Sequence, residues 1–250
     1  MSQFLLGAVS VVAWIGISLA TVFWALLILA AYVVHPLVDP QRKIAHRLAS
    51  CWGRMLLRMA PGCRVELIGR ENIPAGQPVI FMGNHQSYAD VPSLFFLPAQ
   101  FKWIADEELF RIPVFGWAMR MAGYIPVRRG DGREAVRSLQ RAGRLLSEGV
   151  SIFIFPEGTR SHTGVLGCFQ TGGFRLAAQT GAPIVPVVIT GTRQLLPRGA
   201  WAFRWGGRVR IRIQLLPAVP PPQSRKDLRA SMAEVRARMR VAYRDGLRSC

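Results

Sequence analysis

The chain has 250 residues, half of them apolar, and its mean hydropathy is positive. That is enough for one large domain plus an appendage, and too greasy for an ordinary freely soluble domain. With 32 Lys+Arg against 14 Asp+Glu the formal charge is +18, which calls for an anionic partner: a bilayer surface, a phosphorylated substrate or nucleic acid. Nucleic acid is disfavoured, because no helix-turn-helix, zinc module or RNA-recognition aromatic signature is present. Cys51, Cys63, Cys168 and Cys250 form neither a CxxC pair nor a metal-ligand spacing, which fits reduced thiols in a cytoplasmic setting. No internal repeat or low-complexity tract occurs.

From Phe4 to Val34 there is no charged residue. As one helix this run reaches roughly 46 Å, against a hydrocarbon core of about 30 Å. It can tilt across the bilayer, or bend near Gly16 and stay in one leaflet. Ser18-Leu19-Ala20 offers a small-x-small cleavage pattern, but no basic region precedes it and the apolar run continues past it, so a retained anchor is expected rather than a signal peptide. From Gln41 to Ala60 follows a basic amphipathic helix, with Ile44, Leu48, Trp52, Met55 and Met59 on one face and Arg47, Arg54 and Arg58 along its flank. It either lies in the interface with its arginines at lipid headgroups or packs on the domain with a solvated edge. The first arginines come after the anchor, so the positive-inside bias puts the rest of the chain on the cytoplasmic side of the inner membrane. These features divide the chain into a membrane anchor and amphipathic helix, residues 1–62, and a second domain, residues 63–250.

Beyond Gly62, short strands alternate with helices. The strands are expected at Arg64–Ile68, Val79–Met82, Phe101–Ala105, Tyr124–Val127, Ser151–Phe155, Ile184–Ile189 and Val209–Leu215, and Gly132–Glu148 reads as an amphipathic helix. This alternation predicts an α/β domain with a mixed, largely parallel sheet flanked by helices, its site at the carboxyl ends of the strands. In the last strand Arg208, Arg210 and Arg212 alternate with Val209, Ile211 and Ile213, giving one cationic and one apolar face. Ser224 then caps a helix that turns Leu228, Met232, Val235 and Met239 inward. Trp201, Phe203 and Trp205 suit either an interface belt or core packing.

Two motifs end buried strands. In Asn84–His85–Gln86–Ser87–Tyr88–Ala89–Asp90, five positions of continuous helix would leave His85 and Asp90 roughly 140° apart. A turn at Gly83-Asn84 lets Asp90 fold back onto the imidazole. A carboxylate on one ring nitrogen fixes the tautomer and frees the other nitrogen to take a hydroxyl proton. In Phe155–Pro156–Glu157–Gly158–Thr159–Arg160–Ser161, Gly158 lets backbone amides approach a ligand and Arg160 offers a planar fork for a phosphate. Glu157 orients that guanidinium or bonds a substrate hydroxyl. Lys102 and Arg129 add cations at comparable loop positions. Each motif alone also makes an ordinary capped turn; their joint appearance is what points to chemistry.

With these motifs in hand, residues from about Arg64 to Leu216 resemble the PlsC-like 1-acyl-glycerol-3-phosphate acyltransferases, the lysophosphatidate acyltransferase family. Asn84–His85 with Asp90, Gly123–Arg129, Phe155–Ser161 and Ile184–Val188 match four of its blocks in order. The resemblance implies a glycerolipid acyltransferase-like fold and acyl transfer from acyl-CoA or acyl-carrier protein to the sn-2 hydroxyl of 1-acyl-glycerol-3-phosphate, giving phosphatidate. It implies His85 as general base, Asp90 as its orienting partner, no acyl-enzyme, no cofactor and no metal. The substrate phosphate would be held by Lys102, Arg129 and Arg160, alongside Glu157, Gly158 and Thr159. Arg128-Arg129 stands where Asp-Arg is frequent, and Gln170 where Lys is common. A relative acting on another lysolipid, such as lyso-ornithine lipid, would share these blocks. A non-enzymatic binder of anionic membranes or nucleic acid accounts for the arginines but not for the paired motifs.

Overall fold

A computed structural model describes residues 3–60, 62–128, 130–197, 199–203 and 208–248. Seven strands form one sheet in the order β1-β7-β6-β2-β5-β3-β4. They are β1 (Cys63–Ile68), β2 (Ile80–Gly83), β3 (Phe101–Asp106), β4 (Ile125–Val127), β5 (Ser151–Ile154), β6 (Ile184–Thr190) and β7 (Val209–Leu215). Every neighbouring pair is parallel except β6 and β7. The mixed, largely parallel sheet expected from sequence is present.

The physical reason is visible in burial. β2 and β6 are buried at every residue, as strands covered on both faces must be, whereas β7 alternates as its Val/Ile and Arg pattern dictates. Pro186 is tolerated in the middle of β6 because its missing N–H would face β7 at the very end of that ladder; its carbonyl still accepts from Leu216. Ile80 is level with both Ile152 and Ile184, so the carboxyl ends of β2, β5 and β6 come out side by side. The loops after these three strands therefore share one edge of the sheet.

Helices cover both faces. On one lie α1 (Gln3–Val38), α2 (Lys43–Met59), α3 (Asp90–Leu94), α4 (Glu107–Arg111) and α5 (Phe115–Met121), around a core of Phe81, Phe101, Trp103 and Phe153. On the other lie α6 (Gly132–Ser147), α7 (Gly172–Thr180) and α9 (Arg225–Arg248), around Ile80, Met82, Ile152 and Phe174. A short helix, α8 (Thr192–Leu195), follows β6. Asp131 caps α6 and Ser224 caps α9 through their side-chain oxygens.

Helix α1 runs unbroken through Gly16 for 36 residues, about 54 Å. By length and composition its Gly7–Val38 portion is apolar enough to cross a membrane. It packs on α2 and α5, and the loop before β7 is stitched to it: Trp14 Nε1 donates to the Trp201 carbonyl at 2.7 Å, and the Phe203 N–H donates to Ser10 Oγ at 3.1 Å. Trp201 is exposed while Phe203 is half-buried against Trp14; Trp205 lies outside the described residues. Much of the remaining surface of α1 is bare apolar side chain, including Leu19, Phe23, Leu26 and Val33.

Helix α2 departs from its expected orientation. The face it buries in the domain is Ala45, His46, Ala49, Ser50, Gly53 and Leu57, while Ile44 and Met59 are exposed. The cause is close approach: a Cβ on Gly53 would stand 3.1 Å from the Pro92 Cα of α3, so small residues face the domain. Of the larger apolar row, Leu48 and Trp52 are half-buried at the edge of the core, Trp52 against the Phe95 and Phe115 rings and with its Nε1 donating to Thr21 Oγ1 at 3.1 Å.

Candidate active site

The loop after β2 carries the first motif. Gly83 completes the strand instead of turning it, since a Cβ there would strike the Phe153 ring at 2.7 Å. Asn84 is not a breaker either. Fully buried, it accepts from the Ile189 N–H (2.7 Å) and donates to the Ile189 carbonyl (2.8 Å), prolonging the sheet with its own side chain. The backbone then curls so that Asp90, at the start of α3, returns beneath His85.

Asp90 is wholly buried, and its Oδ2 takes three donors: His85 Nδ1 at 2.7 Å, the Gln86 N–H at 2.6 Å and the Ser87 N–H at 2.8 Å. That one oxygen is therefore the acceptor in all three bonds. A carboxylate only accepts, so Nδ1 carries the proton of a neutral ring and the lone pair sits on Nε2. The imidazole lies on the Phe155 ring, centroids 3.9 Å apart and planes 12° apart, which fixes its plane. Among the described residues Nε2 has no hydrogen-bond partner, and the side chain is 15% exposed. The geometry presents a single basic nitrogen to an incoming hydroxyl.

The second motif leaves β5 beside it. Glu157 is buried, and both its oxygens are committed: Oε1 accepts the His85 N–H at 2.9 Å, and Oε2 accepts the Gly167 N–H at 2.7 Å. It thus buckles the two loops together and neither orients Arg160 nor awaits a substrate hydroxyl. Burial pushes its carboxyl above the usual range, opposed by the two N–H donors. The Ser161 N–H closes the junction on the His85 carbonyl at 2.8 Å. Gly158 has φ +69°, where a side chain would be strained, and Gln170 lies against it. Thr159 is exposed at the rim. Arg160 stacks on Tyr88, its Cζ 3.6 Å from the ring centroid, so the guanidinium rests on the loop that carries His85 and Asp90.

One expected cation does not join them. Lys102 is 1% exposed, and its Nζ donates to the carbonyls of Ala122 (2.8 Å) and Arg42 (3.1 Å). It sits near the start of β3, level with Ile152 and hence Ile80, five residues short of His85 along the sheet. Burial, then the Arg42 charge, brings its pKa down to about 7. Lys102 is a strut between the start of α2, β3 and α5, and not a phosphate ligand. Lys102→Met should lower the melting temperature by leaving two carbonyls unpaired, yet keep the acceptor KM within about twofold; a large rise in KM would restore its assignment. Arg129 lies outside the described residues. Arg128 is exposed and forked onto Glu107, with Nε to Oε2 at 2.6 Å, and holds that carboxyl down at about 2.

Sequence reading missed three contributors: Asn84 as a strand extender, Phe155 as the platform for His85, and Tyr88 as the platform for Arg160. Their partners are distant in sequence, and only the aromatic character of Phe155 and Tyr88 beside the motif residues hints at stacking.

Known proteins resemble this chain in sequence and fold. The family model described as Acyltransferase matches residues 64–190. The chloroplastic 1-acyl-sn-glycerol-3-phosphate acyltransferase LPAT1 of Arabidopsis thaliana is 40% identical over 190 residues, covering 74% of this chain and 53% of that protein. The 1-acyl-sn-glycerol-3-phosphate acyltransferase of Pseudomonas aeruginosa is 34% identical over 160 residues, covering 62% of this chain and 60% of its own. This chain thus spans about half to three fifths of the length of these curated relatives. The crystal structure of the 1-acyl-sn-glycerophosphate acyltransferase PlsC from Thermotoga maritima superimposes with a TM-score of 0.79 at 28% identity, covering 98% of this chain and 97% of that one.

Proposed function

This chain belongs to the acyltransferase family, and from that membership and the geometry of the His85 loop we propose that it acylates the sn-2 hydroxyl of 1-acyl-glycerol-3-phosphate to give phosphatidate. The observation that carries the reading is one loop holding both parts: His85 with its lone pair fixed outward by Asp90, and Tyr88 supporting Arg160. Arg160 grips the acceptor phosphate through charge-assisted bonds, each worth about 1.5–3 kcal/mol. His85 Nε2 removes the hydroxyl proton as the oxygen attacks the thioester of acyl-CoA or acyl-carrier protein, and the departing thiolate takes the proton back. No covalent acyl-enzyme is needed. Ser87 is buried, with its hydroxyl given to the Leu196 carbonyl, and Cys168 is exposed outside the motifs. The acyl donor is a co-substrate and no cofactor enters.

Helix α1 would hold this site against the bilayer that contains the acceptor, with α2 beside it. Residues 1–62 then form the docking unit and residues 63–250 the catalytic domain. The arginines that follow α1 favour the cytoplasmic face of the inner membrane.

A second acceptor deserves a direct comparison, because among the described residues fewer cations face the site than the motifs suggest: Lys102 turns inward, Arg128 is engaged by Glu107, and Gln170 packs at Gly158. A lysolipid without phosphate, such as lyso-ornithine lipid, would need fewer. Thiol release by the purified chain with lysophosphatidate, lyso-ornithine lipid and monoacylglycerol decides between them. The expected order has lysophosphatidate at least about tenfold ahead in kcat/KM. Faster turnover of lyso-ornithine lipid would reassign the acceptor.

A further inference from the structure

On the β6 side of the catalytic loop a cavity of about 410 Å³ lies between Gln86, Gly164, the turn Thr190–Arg193 and the end of α9 at Tyr243 and Leu247. Small-molecule sites run from about 300 to 1,000 Å³. Nothing in the handling of the acceptor uses this space.

Its walls hold polar groups that folding has stripped of water without replacing it. Gln86 is 2% exposed, and neither Oε1 nor Nε2 has a partner; Thr192 is wholly buried with Oγ1 equally unpaired. Such atoms cost about 1–3 kcal/mol each when left unsatisfied, and here they belong to two residues of one cavity wall, turned away from the open space, so that a change of side-chain rotamer brings them to a ligand in it. A primary amide and a hydroxyl, donating and accepting, complement a chain of secondary amides. Charge is at hand as well. Arg193 lines the cavity with Nη2 on the His162 carbonyl at 3.3 Å, and Arg212, whose Nε is buried and unpartnered, pairs in register with Thr190. An amide-bearing chain that ends in a phosphate matches the amide of Gln86, the hydroxyl of Thr192 and the guanidinium of Arg193.

The position matches too. Gln86 gives its main-chain N–H to Asp90 while its side chain forms the cavity wall, so the wall begins one residue from the base. The cavity lies under α9, on the face of the sheet opposite α1 and α2, where a water-soluble molecule arrives without crossing the lipid-facing side.

We propose that this cavity receives the phosphopantetheine arm of the acyl donor, an inference that rests on the acyl-transfer reading above. The arm brings its thioester to the sheet edge from one side while the lysolipid hydroxyl arrives from the other. The C–O bond forms as the C–S bond breaks, the hydroxyl proton passes through His85 Nε2 to the leaving sulfur, and the free thiol withdraws along the cavity. Acyl-CoA and acyl-carrier protein carry the same arm.

The test is steady-state thiol release by the full chain, with donor and acceptor varied separately. Thr192→Val, nearly isosteric, and Gln86→Met should each raise the donor KM by about tenfold or more while the acceptor KM moves by less than about twofold. The same shift with acyl-CoA and acyl-carrier protein places the shared arm in the cavity. A shift with acyl-CoA alone would move the contact to the nucleotide and overturn the assignment. An acyl N-acetylcysteamine thioester, which lacks the phosphate and most of the arm, should barely distinguish Thr192→Val from the parent. An unchanged donor KM in Thr192→Val would mean a cavity that holds water only, and a change confined to the acceptor KM would also overturn the proposal. If the parent chain releases no thiol with any acceptor, the acyl-transfer reading has failed; titration of free CoA then tests the cavity by itself. Weaker binding to Thr192→Val would uphold it, and equal or absent binding would reject it.

Discussion

Replacing His85 by alanine should lower kcat for acyl transfer by about 10²–10⁴, the range associated with a positioned general base. The KM of the acceptor should move little, because the phosphate is held by Arg160 and not by the ring. The loss follows from one nitrogen. Asp90 Oδ2 fixes Nδ1 as the donor, and Phe155 fixes the ring plane, so Nε2 is delivered with neither tautomer nor rotation left to chance. Asp90→Asn tests that logic separately. All three donors meet one oxygen, which the amide carbonyl can replace, but the amide carries no charge to stabilise the imidazolium that forms as His85 takes the proton. Its kcat should fall by a comparable order, with circular dichroism confirming that the fold survives. Near-normal turnover in purified His85→Ala would end the mechanism.

Glu157→Gln is the second large effect, and it arises without any contact between Glu157 and substrate. Each carboxylate oxygen accepts a main-chain N–H, one from His85 and one from Gly167. An amide in its place must turn an NH₂ toward one of those N–H groups, so one bond becomes a repulsion. The loop joining the base to Arg160 then shifts. Displacements of about 1 Å cost roughly 10² in rate, and kcat should fall by that order. The natural side chain should show a related pH effect. Burial raises its carboxyl, so the folded chain holds that proton more tightly than the unfolded chain. This contribution to stability is therefore lost as pH rises through the raised pKa. Catalysis runs the other way, since only the charged form accepts both N–H groups. On the acid side activity should decline while this contribution to stability grows, and Glu157→Gln should flatten that limb. An unchanged acid limb in the variant would assign it to another group.

The fold was legible where burial is two-sided. The Val/Ile/Phe runs that became β2, β5 and β6 stand between Gly, Pro and polar breaks, and the Arg/Ile alternation of β7 marks a strand with one cationic face. The orientation of α2 was not legible, because periodicity finds the larger apolar residues, whereas the face against α3 is chosen by the close approach that Gly53 permits. Lys102 was misplaced for a related reason: a cation near a strand looks available until register puts it at the wrong end. The His85–Asp90 pair could be read because both partners lie within five residues. Asn84 could not, since its partner Ile189 is 105 positions away and two backbone bonds leave no mark in composition.

The central claim is that His85 activates a hydroxyl whose phosphate rests on Arg160. Measuring kcat/KM for lysophosphatidate and for the matching monoacylglycerol, in the parent and in Arg160→Ala, tests it in one cycle. Deleting the phosphate and deleting the guanidinium should each cost about tenfold or more, and deleting both should cost little beyond either alone. Fully additive losses would show that the phosphate is held elsewhere and would contradict the account.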